Sequence, residues 1–518
     1  MQPLSGSLSP FPARPDVVSW WARVRPERVA VVDRGRDARL TYAELDAASE
    51  AWARALRAQG VAAGDRVALL AGNRAEALAL FGGCLRTGAV LVPLNWRLAA
   101  PELAGVLADA GARLVVGEGR FRAAAEQAVQ SAGGAAARWL DLDDEAPRLL
   151  RAAADDGVAH VRAEPEAPTM LLYTSGSTGR PKGAVLPHRQ LFYNAVATAA
   201  GWELGAGDVA PVATPLFHTG GWHVFTTPLL HVGGTVVLFP QFEAASFIDG
   251  LAAERCTVAF SVPTQITMLV ESAGWGRPLP ALRFLISGGA PCPPMLAERV
   301  RAAGIRFREG FGLTECGPNC FATSDEAALA RPGSVGWPVP FLEMRLAAEG
   351  GREAVAGEPG ELLLRGPQAF AGYWRDPVRT ADVVDAEGWL HTGDLALRDA
   401  DGAYRICGRR KEMYISGGEN VFPGEVEAAL ADCVGVQEAV VIGVPDAKWG
   451  EVGCAFVVAR AGHALGEREL VAAARLRLAG YKVPKRVVLL DALPRLGSGK
   501  ADRRALAALA ASEPASAC

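Results

Sequence analysis

The chain has 518 residues, half of them apolar, with 53 basic and 57 acidic residues and a formal charge of -4. That length buries more than one core, so at least two domains are expected. The near balance of charge excludes electrostatic wrapping of nucleic acid or adhesion to an anionic membrane, which leaves a small molecule as the expected partner.

Met1 to Trp20 holds four prolines and polar interruptions, with no continuous apolar core of a signal peptide. No later stretch reaches the roughly 18 unbroken apolar residues of a spanning helix, so a soluble, cytoplasmic protein with no membrane span is expected. Nine cysteines run from Cys84 to Cys518 with an odd total and no CxxC pair. That usage fits reduced thiols packed as small hydrophobes, and Cys316 with Cys320 offers too few ligands for a metal.

Thr41 begins Thr-Tyr-Ala-Glu, the spacing of a capping box, and the Ala- and Leu-rich run from Leu45 to Gln59 ends at Gly60. A strand-like run follows at Arg66 to Leu70, then a helical pattern from Glu76 to Arg86 and a second strand at Ala89 to Pro93. This alternation predicts βαβ units around a mainly parallel sheet. Further strands are expected at Ala112 to Val116, Gly234 to Phe239 and Leu282 to Ile286. The last runs into Ser287-Gly288-Gly289 and a proline-started helix at Pro294 to Ala303. The Ala/Arg-rich stretches Phe121 to Ala137 and Val471 to Leu478 keep helical spacing of large apolar residues. After about residue 325 the pattern changes to short strands broken by Gly and Pro, such as Gly360 to Arg365. It returns to α/β character past Pro423, which puts a boundary near residue 410.

Thr174 to Gly183 packs four hydroxyls and three glycines into ten residues after the apolar approach Met170 to Leu172. Such a loop offers hydroxyl and backbone donors to phosphate oxygens, and Lys182 adds a full positive charge. A flexible linker has the same composition. A Walker A loop is excluded, because neither Lys182 nor Lys500 is followed by Ser or Thr.

This segment resembles the phosphate loop of the adenylate-forming superfamily, which holds acyl-CoA synthetases, peptide-synthetase adenylation domains and firefly-type luciferases. The resemblance runs over nearly the whole chain. In the family's order stand Pro215-Leu-Phe-His218, Ser287-Gly-Gly-Ala290, Gly310-Phe-Gly-Leu-Thr-Glu315, Thr392-Gly-Asp394, Gly408-Arg409 and Gly499-Lys500.

The resemblance implies an α/β fold. A large N-terminal AMP-binding domain, residues 1–410, would hold mainly parallel sheets packed with helices and a β-rich subdomain; a small mobile α+β lid, residues 411–518, would carry the catalytic Lys500. It implies ATP, magnesium and coenzyme A as cofactor and cosubstrates. Thr174, Ser175, Gly176, Ser177, Thr178 and Lys182 would cradle phosphates, with Thr314 a phosphate contact and Glu315 the magnesium ligand. Phe311 would stack on adenine, with Gly288, Gly289 and Ala290 against the same base and acyl group. Asp394 and Arg409 would hold the ribose. Lys411 matches the hinge, Ser416-Gly417-Gly418 the pantetheine channel, and Trp449 and Tyr481 the nucleotide end of coenzyme A, although core packing explains the last two equally.

His218 matches an aromatic gate over the adenylate, and Trp222 a tryptophan that gates an acyl tunnel in some fatty-acyl members. No aspartate for an amino group and no Lys or Arg for a second carboxylate occurs between Pro215 and Pro240, though His223 and His231 weaken the second exclusion. The expected reaction joins a monocarboxylic acid, fatty or aryl, to coenzyme A through an acyl-adenylate. A carrier-protein phosphopantetheine as acceptor, or an inactive nucleotide-binding homologue, is the alternative. A homodimer is the family's expectation.

Overall fold

The computed structural model describes residues 17–131, 138–152, 160–162, 164–174, 181–446, 448–496 and 499–512. Thr41 starts its helix as the spacing predicts. The Thr41 hydroxyl accepts from the Glu44 backbone N–H at 3.2 Å, and the Glu44 carboxylate accepts from the Thr41 N–H at 2.8 Å, satisfying two of the four orphan donors at the start of the helix Tyr42–Ala58. The helix Ala75–Thr87 packs against it through Gly82 and Gly83. A Cβ on Gly83 would stand 2.6 Å from Trp52 Cβ and 3.0 Å from the Ala53 nitrogen, so only glycine lets the two backbones approach this closely.

Three sheets carry the N-terminal part. The largest has the spatial order Arg138–Asp141, Ala112–Gly117, Arg66–Leu70, Val90–Pro93, Pro168–Thr174, Lys182–Pro187. It is parallel except at the final hairpin, where Thr174 faces Lys182. A second sheet sets Val29–Asp33, Thr235–Leu238 and Val209–Val212 parallel. A third sets Val258–Ser261, Phe284–Ser287 and Phe307–Glu309 parallel, with Ser261, Ser287 and Glu309 in register at their carboxyl ends. The Thr257 N–H donates to the Val209 carbonyl at 2.8 Å and joins the last two.

The β-rich subdomain is the antiparallel sheet Glu343–Ala347, Gly360–Arg365, Leu390–Arg398, Tyr404–Arg409. The small C-terminal domain has a sheet of its own, built on the long antiparallel pair Val436–Asp446 and Gly450–Ala459. Helices Pro423–Ala431 and Glu467–Arg475 cover one face, and Arg503–Ser512 covers the other. Its apolar faces are packed on both sides, as a helix-covered sheet requires.

The strands at Arg66–Leu70 and Gly360–Arg365 have the bounds read from their apolar runs. Three others start late: one begins at Val90 rather than Ala89, and in the other two turns capture the first residues. The Leu282 N–H donates to Leu279, so that strand begins at Phe284; the Gly234 N–H donates to Leu229 and closes a helix, so that strand begins at Thr235. The helical run after Phe121 is found as Arg122–Ser131, and residues 132–137 lie outside the described set. No helix among the described residues is long and apolar enough to cross a membrane.

Gly83→Ala is expected to lower the urea midpoint of unfolding. Overpacking costs about 1–3 kcal/mol, against about 1 kcal/mol gained from alanine's better helix propensity. A raised midpoint would contradict the close glycine contact.

Candidate active site

The carboxyl ends of the three in-register strands open onto glycine-rich loops, the usual ligand position in such sheets. After Ser287 the chain turns through Gly288 and Gly289, the latter at φ +82°. After Glu309 it passes Gly310 and Phe311 into a loop that reverses tightly, with the Leu313 N–H donating to the Gly317 carbonyl at 3.0 Å. A Cβ on Gly312 would lie 2.2 Å from the Pro318 carbonyl carbon, so glycine is required there. Phe311 is half-buried, its ring edge-on to Phe321 at 6.0 Å. Ala290 and Gly289 are exposed beside it in sequence register, whereas Gly288 is buried against Gly310.

The short 3-10 turn Thr314–Cys316 aims Glu315 at Lys182. Lys182 Nζ stands 3.7 Å from Glu315 Oε1 and also donates to the Tyr373 hydroxyl, which in turn donates to Glu315 Oε1 at 2.7 Å. Tyr373 is fixed by backbone stitching of residues 371–374 to the strand Lys182–Pro187. Burial holds the Lys182 ammonium below the ordinary lysine range, with Glu315 opposing the shift. At the other end of the hairpin the Thr174 hydroxyl is buried and has no partner among the described residues. Ser175, Gly176, Ser177 and Thr178 lie outside the described residues.

Asp394 and Arg409 face one another across antiparallel strands, so the pairing register alone brings Arg409 Nε to 2.7 Å from Asp394 Oδ1. Asp394 Oδ2 is buried without a partner. Burial pushes the carboxyl up to about 6, and Arg409 and Lys500 only partly offset it. A carboxylate with one oxygen paired and the other open fits a ligand that brings hydroxyl donors.

Lys500 sits at a closed turn. The Leu496 N–H donates to its carbonyl at 2.8 Å, and Arg495 donates to the Gly499 carbonyl at 2.9 Å. Its side chain keeps solvent access but is walled by protein. That partial desolvation, with Arg409, holds it below the ordinary lysine range, against the opposing pull of Asp394, Glu412 and Glu315. His218 feels the same lysine. Burial first, then Lys500 and Arg97, push its ring down to about 4, so it is neutral at pH 7. The site thus gathers Lys182, Glu315, Asp394, Arg409, Lys500 and His218 from both domains.

Trp222 is fully enclosed with its ring 5.1 Å from Phe81, and its indole N–H has no acceptor among the described residues. Gly221 is required beside it, since a Cβ would lie 2.4 Å from the Pro215 carbonyl oxygen. Lys411 is exposed in the short connection between the strands Tyr404–Arg409 and Tyr414–Ser416. Its neighbours are tied to opposite sides, Arg410 to Glu361 at 2.7 Å and Glu412 to Arg503 at 3.2 Å. In the small C-terminal domain, Gly417 at φ +62° and Gly418 at φ +86° form the turn after buried Ser416. The Trp449 ring lies over Gly417, with Lys448 and Lys485 within 5.2 and 5.7 Å of it. Tyr481 packs against the lid core.

Tyr373 is the main residue that motif reading missed. Nothing local to Ala371-Gly-Tyr-Trp374 announces a contact with residues 182 and 315. Among the described residues no group of three or more His, Cys, Asp or Glu could hold a metal by itself. Glu315 fits a magnesium ion that keeps most of its shell for water and phosphate oxygens.

A family model described as AMP-binding enzyme matches residues 18–374, and one described as AMP-binding enzyme C-terminal domain matches residues 425–500. The chain is 42% identical over 484 residues to a feruloyl-CoA synthase of an Amycolatopsis species, covering 92% of this chain and 95% of that one. It is 36% identical to a long-chain-fatty-acid–CoA ligase of Mycobacterium tuberculosis, with 92% and 95% covered. Its structure superposes with a TM-score of 0.87 on the o-succinylbenzoate CoA synthetase of Bacillus subtilis in complex with an acyl-adenylate, at 30% identity, covering 96% of this chain and 98% of that one.

The titration of Asp394 gives a test. If the open Oδ2 takes ribose hydroxyls, these favour the ionised form, and AMP binding then draws the carboxyl below about 6 and releases a proton near pH 6. Affinity is therefore expected to fall by up to about tenfold per pH unit below 6. Calorimetry in two buffers should show that proton release in the wild type and less of it in Asp394→Asn, where only the nucleotide's own phosphate titrates. Equal release in both would contradict the assignment.

Proposed function

The chain belongs to the AMP-binding enzyme family, in the acyl-CoA ligase branch of the adenylate-forming superfamily, and from that membership we propose how its own residues carry out an AMP-forming acid–thiol ligation. In the first step a carboxylate oxygen of a fatty or aryl acid attacks the α-phosphorus of ATP. The new bond is acyl C–O–P, and pyrophosphate leaves with the electron pair of the broken P–O bond. In the second, the thiol sulfur of coenzyme A attacks the acyl carbon, AMP leaves, and the thiol proton goes to solvent or base.

The observation that carries this reading is the convergence of Lys500, from the lid, with Asp394, Glu315 and His218 from the large domain. Asp394 takes the ribose hydroxyls on its open oxygen while Arg409 holds the other. Phe311 offers a face to adenine, and Gly289 and Ala290 run beside it without bulk. Lys182, with Thr174 and Thr314, holds phosphate oxygens. Glu315 would hold magnesium, which when bound neutralises charge on the phosphates. Lys500 joins the carboxylate and the α-phosphate oxygens, and a preorganised donor of this kind typically contributes on the order of 10² to 10³ in rate. His218, neutral and at the mouth of the acyl side, shields the reacting carbonyl without adding charge.

Before the second step Lys500 withdraws, which clears the face of the acyl-adenylate for the thiol. We assign residues 1–410 to the AMP-binding domain and 411–518 to a lid that turns about Lys411. This division is supported by the short connection at 410–413, exposed at Arg410 and Lys411, and by the separate sheet after it. The turn Ser416–Gly418 under Trp449 would then line the thiol path, where absent side chains leave room for a pantetheine arm. ATP and coenzyme A as substrates, together with free cysteines among the described residues, support a cytoplasmic setting.

Mass spectrometry of a reaction with ATP, magnesium and coenzyme A against medium- and long-chain fatty acids, benzoates and cinnamates should find an acyl-CoA and stoichiometric AMP. Lys500→Ala is expected to slow adenylate formation by about 10² to 10³, while thioester formation from supplied acyl-adenylate survives. Equal loss of both steps would contradict the lid's division of labour, and adenylate without transfer to coenzyme A would point to a carrier-protein acceptor.

A further inference from the structure

Resting on the reading of Glu315 as the magnesium ligand, we propose that Tyr373 is a positioning residue for adenylation: its hydroxyl holds Lys182 one oxygen apart from Glu315 and so keeps Glu315 Oε2 open for the metal. The sense of its bonds is fixed by chemistry. An ammonium only donates and a carboxylate only accepts, so Lys182 Nζ donates to the Tyr373 oxygen, and that hydroxyl must send its own proton to Glu315 Oε1, at 2.7 Å. The phenol is thus committed at both ends. Its hydrogen bond and the nearest approach of the lysine both fall on Oε1.

Without that oxygen the two charges would close on each other. Lys182 Nζ and Glu315 Oε1 stand 3.7 Å apart, beyond the roughly 2.7–2.9 Å of a direct charge-assisted hydrogen bond. Their side chains are 23% and 13% exposed, so water screens the attraction only in part. A direct pair would occupy the carboxylate that a hard cation needs and would draw the lysine away from phosphate. A neutral hydroxyl between them satisfies one hydrogen-bonding position on each and leaves the rest free.

Tyr373 can serve as a spacer because its backbone is tied to both of the groups it separates. The Phe370 N–H donates to the Glu315 carbonyl at 2.7 Å, and the Trp374 N–H donates to the carbonyl of Gly183, next to Lys182, at 2.8 Å. Between these ties the Val185 N–H donates to Gly372 and the Ala371 N–H to Val185, each at 3.0 Å. The Tyr373 N–H donates to the Thr380 hydroxyl at 2.9 Å, and Thr380 packs so closely that a Cβ on Gly372 would meet its Cγ2 at 2.9 Å. The ring itself is buried, edge-on to Phe370 at 5.0 Å and with Lys182 Nζ 3.9 Å from its centroid. A hydroxyl held this firmly needs no further ordering when nucleotide and metal arrive.

The test is the factor by which manganese(II) tightens binding of α,β-methylene-ATP, read by calorimetry with the metal and again with EDTA. The ratio cancels contacts made to the nucleotide alone. Glu315→Gln should lower that factor, which checks the ligand itself. Tyr373→Phe keeps the ring and is expected to lower it by about tenfold, the scale of losing a partner of a metal-binding carboxylate, and to raise the KM for magnesium with kcat nearly unchanged. In Lys182→Ala no ammonium remains to close on the carboxylate, so adding Tyr373→Phe should change the factor by less than about twofold. An unchanged factor in folded Tyr373→Phe, with Glu315→Gln lowered, would overturn the spacer and leave the ligand reading standing. Equal losses from Tyr373→Phe with and without Lys182 would also overturn it, since the tyrosine would then act on Glu315 alone. An unchanged factor in Glu315→Gln would remove the ligand reading, and the inference with it.

Discussion

A carboxylate buried with only one of its oxygens paired is costly to ionise, and Asp394 is held in that state by the strand register that sets Arg409 opposite it. The ion pair is asymmetric. Arg409 is half exposed, whereas Asp394 is almost wholly enclosed. The desolvation falls on the acid and raises its pKa, so full ionisation depends on a partner for Oδ2. Much of the architecture meets at this point. The antiparallel subdomain supplies both residues, the chain leaves that sheet immediately after Arg409, and the small C-terminal domain returns Lys500 to the same neighbourhood.

Charge balance gives the cleft its ligand preference. Lys182, Arg409 and Lys500 stand among only a few carboxylates, and two of these, Glu315 and Asp394, are already engaged by Tyr373 and Arg409. Burial lowers the lysine pKa values and so makes each ammonium more ready to take an anion, since an added negative charge relieves the desolvation. His218 sits beside this cluster as a neutral ring and does not compound the repulsion.

Much of the frame could be read from the chain because it rests on local rules. The capping box at Thr41, the apolar runs at Arg66–Leu70 and Gly360–Arg365, and the strand-to-glycine transition at Ser287 each depend on residues within one turn or strand of each other. Strand ends slipped by a residue or two where turns at Leu279 and Leu229 captured a donor. The site's sequence-distant members were legible only as a series of motifs matching a family in order. What could not be read is tertiary in origin. Tyr373 reaches Glu315 because residues 371–374 pair with the strand after Lys182. Nothing in the neighbouring sequence marks that contact, or the open oxygen of Asp394, since pairing is a property of the packed molecule.

The adenylation step bonds a carboxylate oxygen of the acid to the α-phosphorus. An accepted acid labelled with ¹⁸O in its carboxyl group, converted in the presence of ATP, magnesium and coenzyme A, tests this bond directly. One labelled oxygen is predicted to appear in the phosphate of the AMP formed, seen as a mass shift of that product. Unlabelled AMP, with the isotope found instead in inorganic phosphate beside ADP, would mean that the acid attacks the terminal phosphorus and would contradict the adenylate mechanism.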